Sequence, residues 1–195
     1  MIPTIAECFE LIDQYKMLPN IKAHSIVVAK VTELIGKGLA VSGLNISLPR
    51  AISGALLHDI AKTQTLENNL RHDEIGARIC REHGYGELAE IVAEHVILKN
   101  GVPESCCAEK EIVYYADKRV RHEEVVSLEV RLEYILERYG NGDAWLQERI
   151  KENFAQAHVI EEKIFQHLNF GPAQVGELID GGRGVLDEFE KAVAL

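Results

Sequence analysis

The stretch Leu56-Leu57-His58-Asp59-Ile60-Ala61-Lys62 sets a histidine and a carboxylate side by side inside an apolar run of helical period, with a lysine one turn beyond the histidine. Two adjacent ionisable groups are costly in such a run unless something compensates their charge. A bound metal ion does so, and its other ligands should then lie on neighbouring helix faces.

Working outward, nearly every segment has the 3.6-residue period and none shows the alternation and turn pairs of a hairpin, which predicts an all-α fold. Thr4 and Glu7 make a capping box that opens a first helix, ended near Leu18 by Pro19-Asn20. A second helix runs from Asn20 to about Gly38, with His24 on the same stripe as Val27, Val28, Val31, Leu34 and Ile35. Ser47 as cap and Pro49 in the first turn start a third, which carries Asp59 inward and His58 and Lys62 on the adjoining face. Thr63 to Arg71 reads as a loop over the mouth of whatever His58 and Asp59 build.

A fourth helix from His72 to Gly84 has His72, Ile75, Gly76, Ile79 and Cys80 on one face, Gly76 marking a close approach. The fifth, from Glu87 to about Leu98, sets His95 in its core stripe. A long pattern from Ser105 to Tyr139, broken near His122, turns Asp117 inward with Val113, Ala116 and Val120. After Gly140-Asn141-Gly142, Asp143 caps a helix to about Phe170, and the tail around Gly181-Gly182-Arg183-Gly184 carries apolar residues suited to packing or homodimer contacts. The domain reading is therefore a helical core over 1–140 and a C-terminal helical extension over 141–195.

His24, His58, Asp59, His72, His95 and Asp117 thus come from five predicted helices, and all but His58 lie on apolar stripes. A lone inward histidine is most often a hydrogen-bonded core residue; six such positions with an adjacent His-Asp pair point instead to a bundle metal site. Imidazole with carboxylate suits iron, manganese, cobalt, nickel or zinc, one or two ions, and the lack of a matching thiolate argues against structural zinc.

The formal charge of −10 argues against non-specific nucleic-acid binding, which needs a basic footprint, but leaves a small phosphate substrate open because a metal reverses the local potential. No apolar run approaches a membrane span, and Met1-Ile2-Pro3-Thr4 lacks the basic then apolar start of a signal peptide, so a cytoplasmic location is expected. Four cysteines show no zinc spacing, and Cys106-Cys107 reads as a reduced pair at a helix start.

The order His24, His58-Asp59, His72, His95, Asp117, with the texts Leu57-His58-Asp59-Ile60-Ala61-Lys62, His72-Asp73-Glu74-Ile75-Gly76-Ala77 and Tyr115-Ala116-Asp117-Lys118, resembles the HD-domain superfamily of metal-dependent phosphohydrolases over about residues 20–122. The resemblance implies that His24, His58, Asp59 and Asp117 bind a first metal, that His72 and His95 serve a second, and that Asp59 bridges and orients the attacking water. The layout is similar to small bacterial diadenosine tetraphosphate hydrolases, although Val96-Ile97-Leu98-Lys99-Asn100-Gly101 departs from their Thr-x-Gly pattern.

The implied activity is hydrolysis of a nucleotide or other small phosphate ester or anhydride by metal-activated water. Lys62, catalytic and phosphate-binding, is the first cation expected at the substrate, followed by Lys118 and Arg121, with Arg119 and Arg71 behind them. A non-catalytic regulatory module of the same fold and a di-iron oxygenase are the alternative readings.

Overall fold

In the computed structural model, which describes residues 1–68, 70–99, 101–102 and 107–181, the chain is helical apart from one short two-stranded ladder. The Thr4–Glu7 capping box opens α1 (Ile5–Gln14), which buries Cys8, Leu11 and Ile12. Pro19 begins α2 (Pro19–Val41), whose inward stripe of His24, Val28, Val31, Ile35 and Leu39 packs along α3 (Leu48–Leu57). Ser47 occupies the position before α3 without a side-chain cap; its backbone N–H is taken by Glu109 Oε1 at 2.7 Å.

The decisive stretch is where the chain departs from the expected continuous helix. α3 ends at Leu57, His58 is its C-cap, and a turn through Asp59 leads into α4 (Lys62–Thr65), which overlaps the start of the span expected to be loop. α5 (His72–Glu82) begins at His72, and a 3-10 turn at Gly86–Leu88 leads to α6 (Ala89–Glu94), which stops one residue before His95.

α7 (Glu109–Lys118) sits against α2, α3 and α6, with Tyr114 and Tyr115 fully buried. The break expected near His122 in the long helical pattern is a hairpin of β1 (Val120–Arg121) and β2 (Glu124–Val125), whose turn holds His122 at φ 57°. Two-residue strands are too short to show period-2 alternation, which is why the pattern concealed them.

α8 (Leu128–Tyr139) and α9 (Ala144–Phe165) follow, capped by Ser127 and Asp143, and α10 (Val175–Gly181) closes the described chain. Phe154, Ala157, Ile160, Ile164 and Val175 share one buried cluster with the residues of the preceding helices. The chain is thus an all-α bundle, and α9 is packed onto its core through α7. The sequence-expected helix start at Ser105 and the tail beyond Gly181 lie outside the described residues. Cys8 and Cys80 are free and buried, whereas Cys107 is disulfide-bonded, against the expectation of a reduced thiol. Among the described residues no helix is long and apolar enough to cross a membrane.

Candidate metal centre

The interrupted helices bring all six residues together. His24 Nε2 lies 3.0 Å from Asp117 Oδ1, and His58 Nε2 lies 3.7 Å from the same oxygen. On the other side Asp59 Oδ1 faces His72 Nε2 at 3.3 Å and His95 Nε2 at 3.5 Å, while its Oδ2 is 3.4 Å from His58 Nε2. Two triplets, His24-His58-Asp59 and Asp59-His72-His95, each offer three donor atoms within 4.8 Å of one another, and Asp59 is common to both.

The backbone sets the histidine orientation. His58 Nδ1 donates to the Ala55 carbonyl at 2.6 Å, and His95 Nδ1 to the Val92 carbonyl at 2.7 Å. Each is the residue just past its helix, reaching back to a carbonyl three residues earlier. His24 Nδ1 donates to the His122 carbonyl at 3.0 Å, which the positive-φ turn of the hairpin aims inward. A carbonyl only accepts, so in the neutral rings the proton stays on Nδ1 and the Nε2 lone pair faces the cluster.

Lone pairs and carboxylate oxygens then face one another without donors between them. His58 Nε2 and Asp59 Oδ1 are buried without a hydrogen-bond partner. Unpartnered buried polar atoms carry a desolvation cost of about 1–3 kcal/mol each. A single divalent cation answers both, and the nitrogen and oxygen donor set fits a first-row transition metal. The residues present therefore fit the metal that the sequence implied.

The titrations show the same tension. Burial works against the charge on His58, yet Asp59 and Asp117 raise its pKa above the ordinary value. Burial would raise Asp59, but Lys62, His58 and His72 hold it well below the usual carboxylate range. Asp117 is likewise held low against burial, chiefly by His24 and His58, whereas burial lowers His95.

The expected cations separate by position. Lys62 Nζ is 2.7 Å from Asp59 Oδ2 and lines two cavities, of about 240 and 340 Å³, that flank the cluster. Lys118 is buried, pushed down to about 7 by that burial, and its Nζ donates to the His95 and Val96 carbonyls at 3.1 and 3.2 Å. It braces the His95 segment from below. Arg121 does not join the site: it pairs with Glu124 at 2.7 Å on the hairpin and lines neither flanking cavity.

Arg119 is buried among Tyr115, Glu161 and the Val126 and Pro172 carbonyls, and Arg71 pairs with Asp73 and Glu74. The group that sequence reasoning missed is Arg131 of α8, which lines both cavities.

Residues 21–121 match the HD domain family. The chain belongs to that family. The HD domain therefore contains all six converging side chains, while α8 and α9 lie beyond the matched range. Ribonuclease Y of Thermosipho melanesiensis is 39% identical over 98 residues, 50% of this chain and 18% of that protein. Ribonuclease Y of Pseudothermotoga lettingae is 38% identical over the same length and shares. An uncharacterized protein of Methanocaldococcus jannaschii is 26% identical over 126 residues, covering 55% of this chain and 73% of its own. The chain spans less than a fifth of the length of the ribonucleases Y it matches. No solved structure matched.

Proposed function

We propose that this HD-domain chain is a metal-dependent phosphohydrolase acting on a nucleotide or another small phosphate ester or anhydride. His24, His58, Asp59 and Asp117 hold one divalent ion and Asp59, His72 and His95 a second, the ions being iron, manganese, cobalt, nickel or zinc. The observation that carries this reading is the pair of triplets sharing Asp59, with His58 Nε2 and Asp59 Oδ1 buried and unpartnered between them.

Bound ions supply an activated water and neutralise phosphate oxygens. The chain's own groups do the rest. The Ala55, Val92 and His122 carbonyls hold three imidazoles in the ligating tautomer. Asp59 is fixed through Oδ2 by Lys62, whose ammonium faces both cavities and meets the substrate phosphate. Water adds to phosphorus, the P–O bond to the organic group breaks, and the departing oxygen takes the water's proton.

The ribonuclease Y relatives favour a second reading, hydrolysis of an RNA phosphodiester. The net charge of −10 weighs against a long basic track, and with it against nucleic acid as substrate. Residues 1–140 as core with 141–195 as an extension, able to serve a homodimer contact, and a cytoplasmic location complete the proposal.

Elemental analysis of the purified protein and phosphate release with Mn²⁺, Co²⁺ or Fe²⁺ test it across nucleotides, dinucleoside polyphosphates and short RNA. Asp59→Asn should lose metal and more than about a hundredfold of the activity, beyond the loss typical of removing a group that merely orients a ligand. Full activity in Asp59→Asn would sink the metal mechanism.

A further inference from the structure

Arg131 stands out among the described cations. It is half-buried on the inner face of α8, its guanidinium carbon lies 5.3 Å from the Tyr134 ring centre, and no carboxylate pairs with it among the described residues. The two cavities beside the metal cluster meet at Lys62, Arg131, Ile135 and Tyr139. An uncompensated guanidinium next to a bound ammonium, facing a site for cations, is poised for an anion that touches all of them.

Behind Arg131 the larger cavity, about 340 Å³, runs between the His95 segment and α9. Its walls are mainly apolar, including Val96, Ile97, Leu146, Ile150 and Phe154. The polar groups at its floor are already engaged. Asn153 Nδ2 donates to the Val96 carbonyl at 2.9 Å, its Oδ1 accepts from Tyr114 Oη at 2.7 Å, and Lys118 is held by two carbonyls. Beyond Arg149 at the exposed side, which rests on the Trp145 ring, a molecule entering there meets mainly hydrocarbon. The volume lies at the lower end of the range for small-molecule pockets.

We propose that Arg131 and the apolar cavity behind it form the substrate subsite of this centre, taking a small phosphate ester whose organic group is a compact ring system recognised by shape and apolar contact. The inference rests on the phosphohydrolase reading and assigns specificity to α8 and α9, outside the family-matched residues. Arg131 and Lys62 grip the phosphate on the metal side, and Ile135, Leu146, Ile150 and Phe154 enclose the ring. Apart from Arg149, which lines the same cavity from an exposed position beside the Trp145 ring, that wall is hydrocarbon, so purine, pyrimidine and simple aryl groups are accepted alike, whereas a bare sugar phosphate gains little from it.

The test uses the full chain loaded with Mn²⁺ and follows both binding by calorimetry and phosphate release. The probes are phenyl phosphate, adenosine 5′-monophosphate, ribose 5-phosphate and a short oligoribonucleotide. The aryl and nucleoside phosphates should exceed ribose 5-phosphate by about tenfold in affinity and in kcat/KM, as expected for one apolar group in a fitted pocket. Ile150→Asn, with Leu146→Asn as the second variant should the first not fold, should bring that ratio towards one. Arg131→Gln should raise KM for every small ester by about tenfold with a smaller change in kcat, and Arg131→Lys should recover part of the loss.

A ratio of one in the unaltered protein, or a ratio preserved in both folded asparagine variants, would overturn the subsite. Binding and cleavage of the oligoribonucleotide with neither for the mononucleotide would overturn it too, moving the same metal centre to the second reading, an RNA phosphodiester. Selective binding of the ring-bearing esters without phosphate release from any probe would uphold the subsite and refute the hydrolase reading.

Discussion

His58 shows how one residue couples backbone, charge and metal. Its Nδ1 is committed to the Ala55 carbonyl, so only Nε2 is available to an ion or a proton, and the two compete for it. Asp59 and Asp117 raise its pKa against the opposing effect of burial, so its charged form persists above the ordinary 6.5. Protonation therefore opposes metal binding as pH falls through that raised value, and binding just above 6.5 releases a proton. Calorimetry of Mn²⁺ binding in buffers of different ionisation enthalpy should show this release and a falling affinity on acidification, with the released proton absent in His58→Gln. The site residues themselves were legible because histidine and aspartate on an apolar stripe are chemically anomalous. The carbonyl of His122 was not, since a backbone group aimed by a positive φ leaves no trace in residue type. Arg131 left the same kind of signal as the histidines, a charge on a stripe with Leu128, Leu132 and Ile135, but a break placed only near His122 did not say how the phase after the hairpin relates to that of α7.

At the level of elements, the second triplet depends on how closely α5 approaches α6. Gly76 makes that approach: a Cβ there would stand 2.8 Å from Val92 Cγ1 and 3.2 Å from Ile60 Cγ2. Both neighbours carry methyls on stiff, branched side chains, so the helices rather than the rotamers must yield. Val92 also supplies the carbonyl that orients His95, and α5 carries His72, so the displacement falls on one triplet. Gly76→Ala should cost about 1–3 kcal/mol in denaturant unfolding, the usual range for overpacking. It should also weaken the ion at Asp59, His72 and His95 about tenfold, with the ion at His24 and His58 retained, read as metal stoichiometry on dilution. Helix identity was legible from periodicity here, and the close approach from a glycine on an inward face. The ends of α3 and α6 were not, because His58 and His95 continue the helical pattern while their side chains turn back to cap the helix.

Across the whole molecule, an acidic protein must attract an anionic substrate with a local field, since the formal charge of −10 repels it at long range. In the proposed site the inward cations that line both cavities, Lys62 and Arg131, would act over a short distance together with the bound ions. Such contacts in a partly buried cleft are screened far less than charges spread over a surface. A small ester neutralised there releases few counterions, so its KM should change by less than about threefold between about 50 and about 200 mM salt. A protein that tracks a nucleic-acid backbone through six or more phosphates instead loses about a thousandfold in affinity over the same interval. Steady-state kinetics on adenosine 5′-monophosphate and on a short oligoribonucleotide at both salt concentrations separate the two. A steep slope for the oligoribonucleotide would require a basic path that the acidic exterior must hold in a cluster, and would move the substrate from the cavity behind Arg131 to the surface.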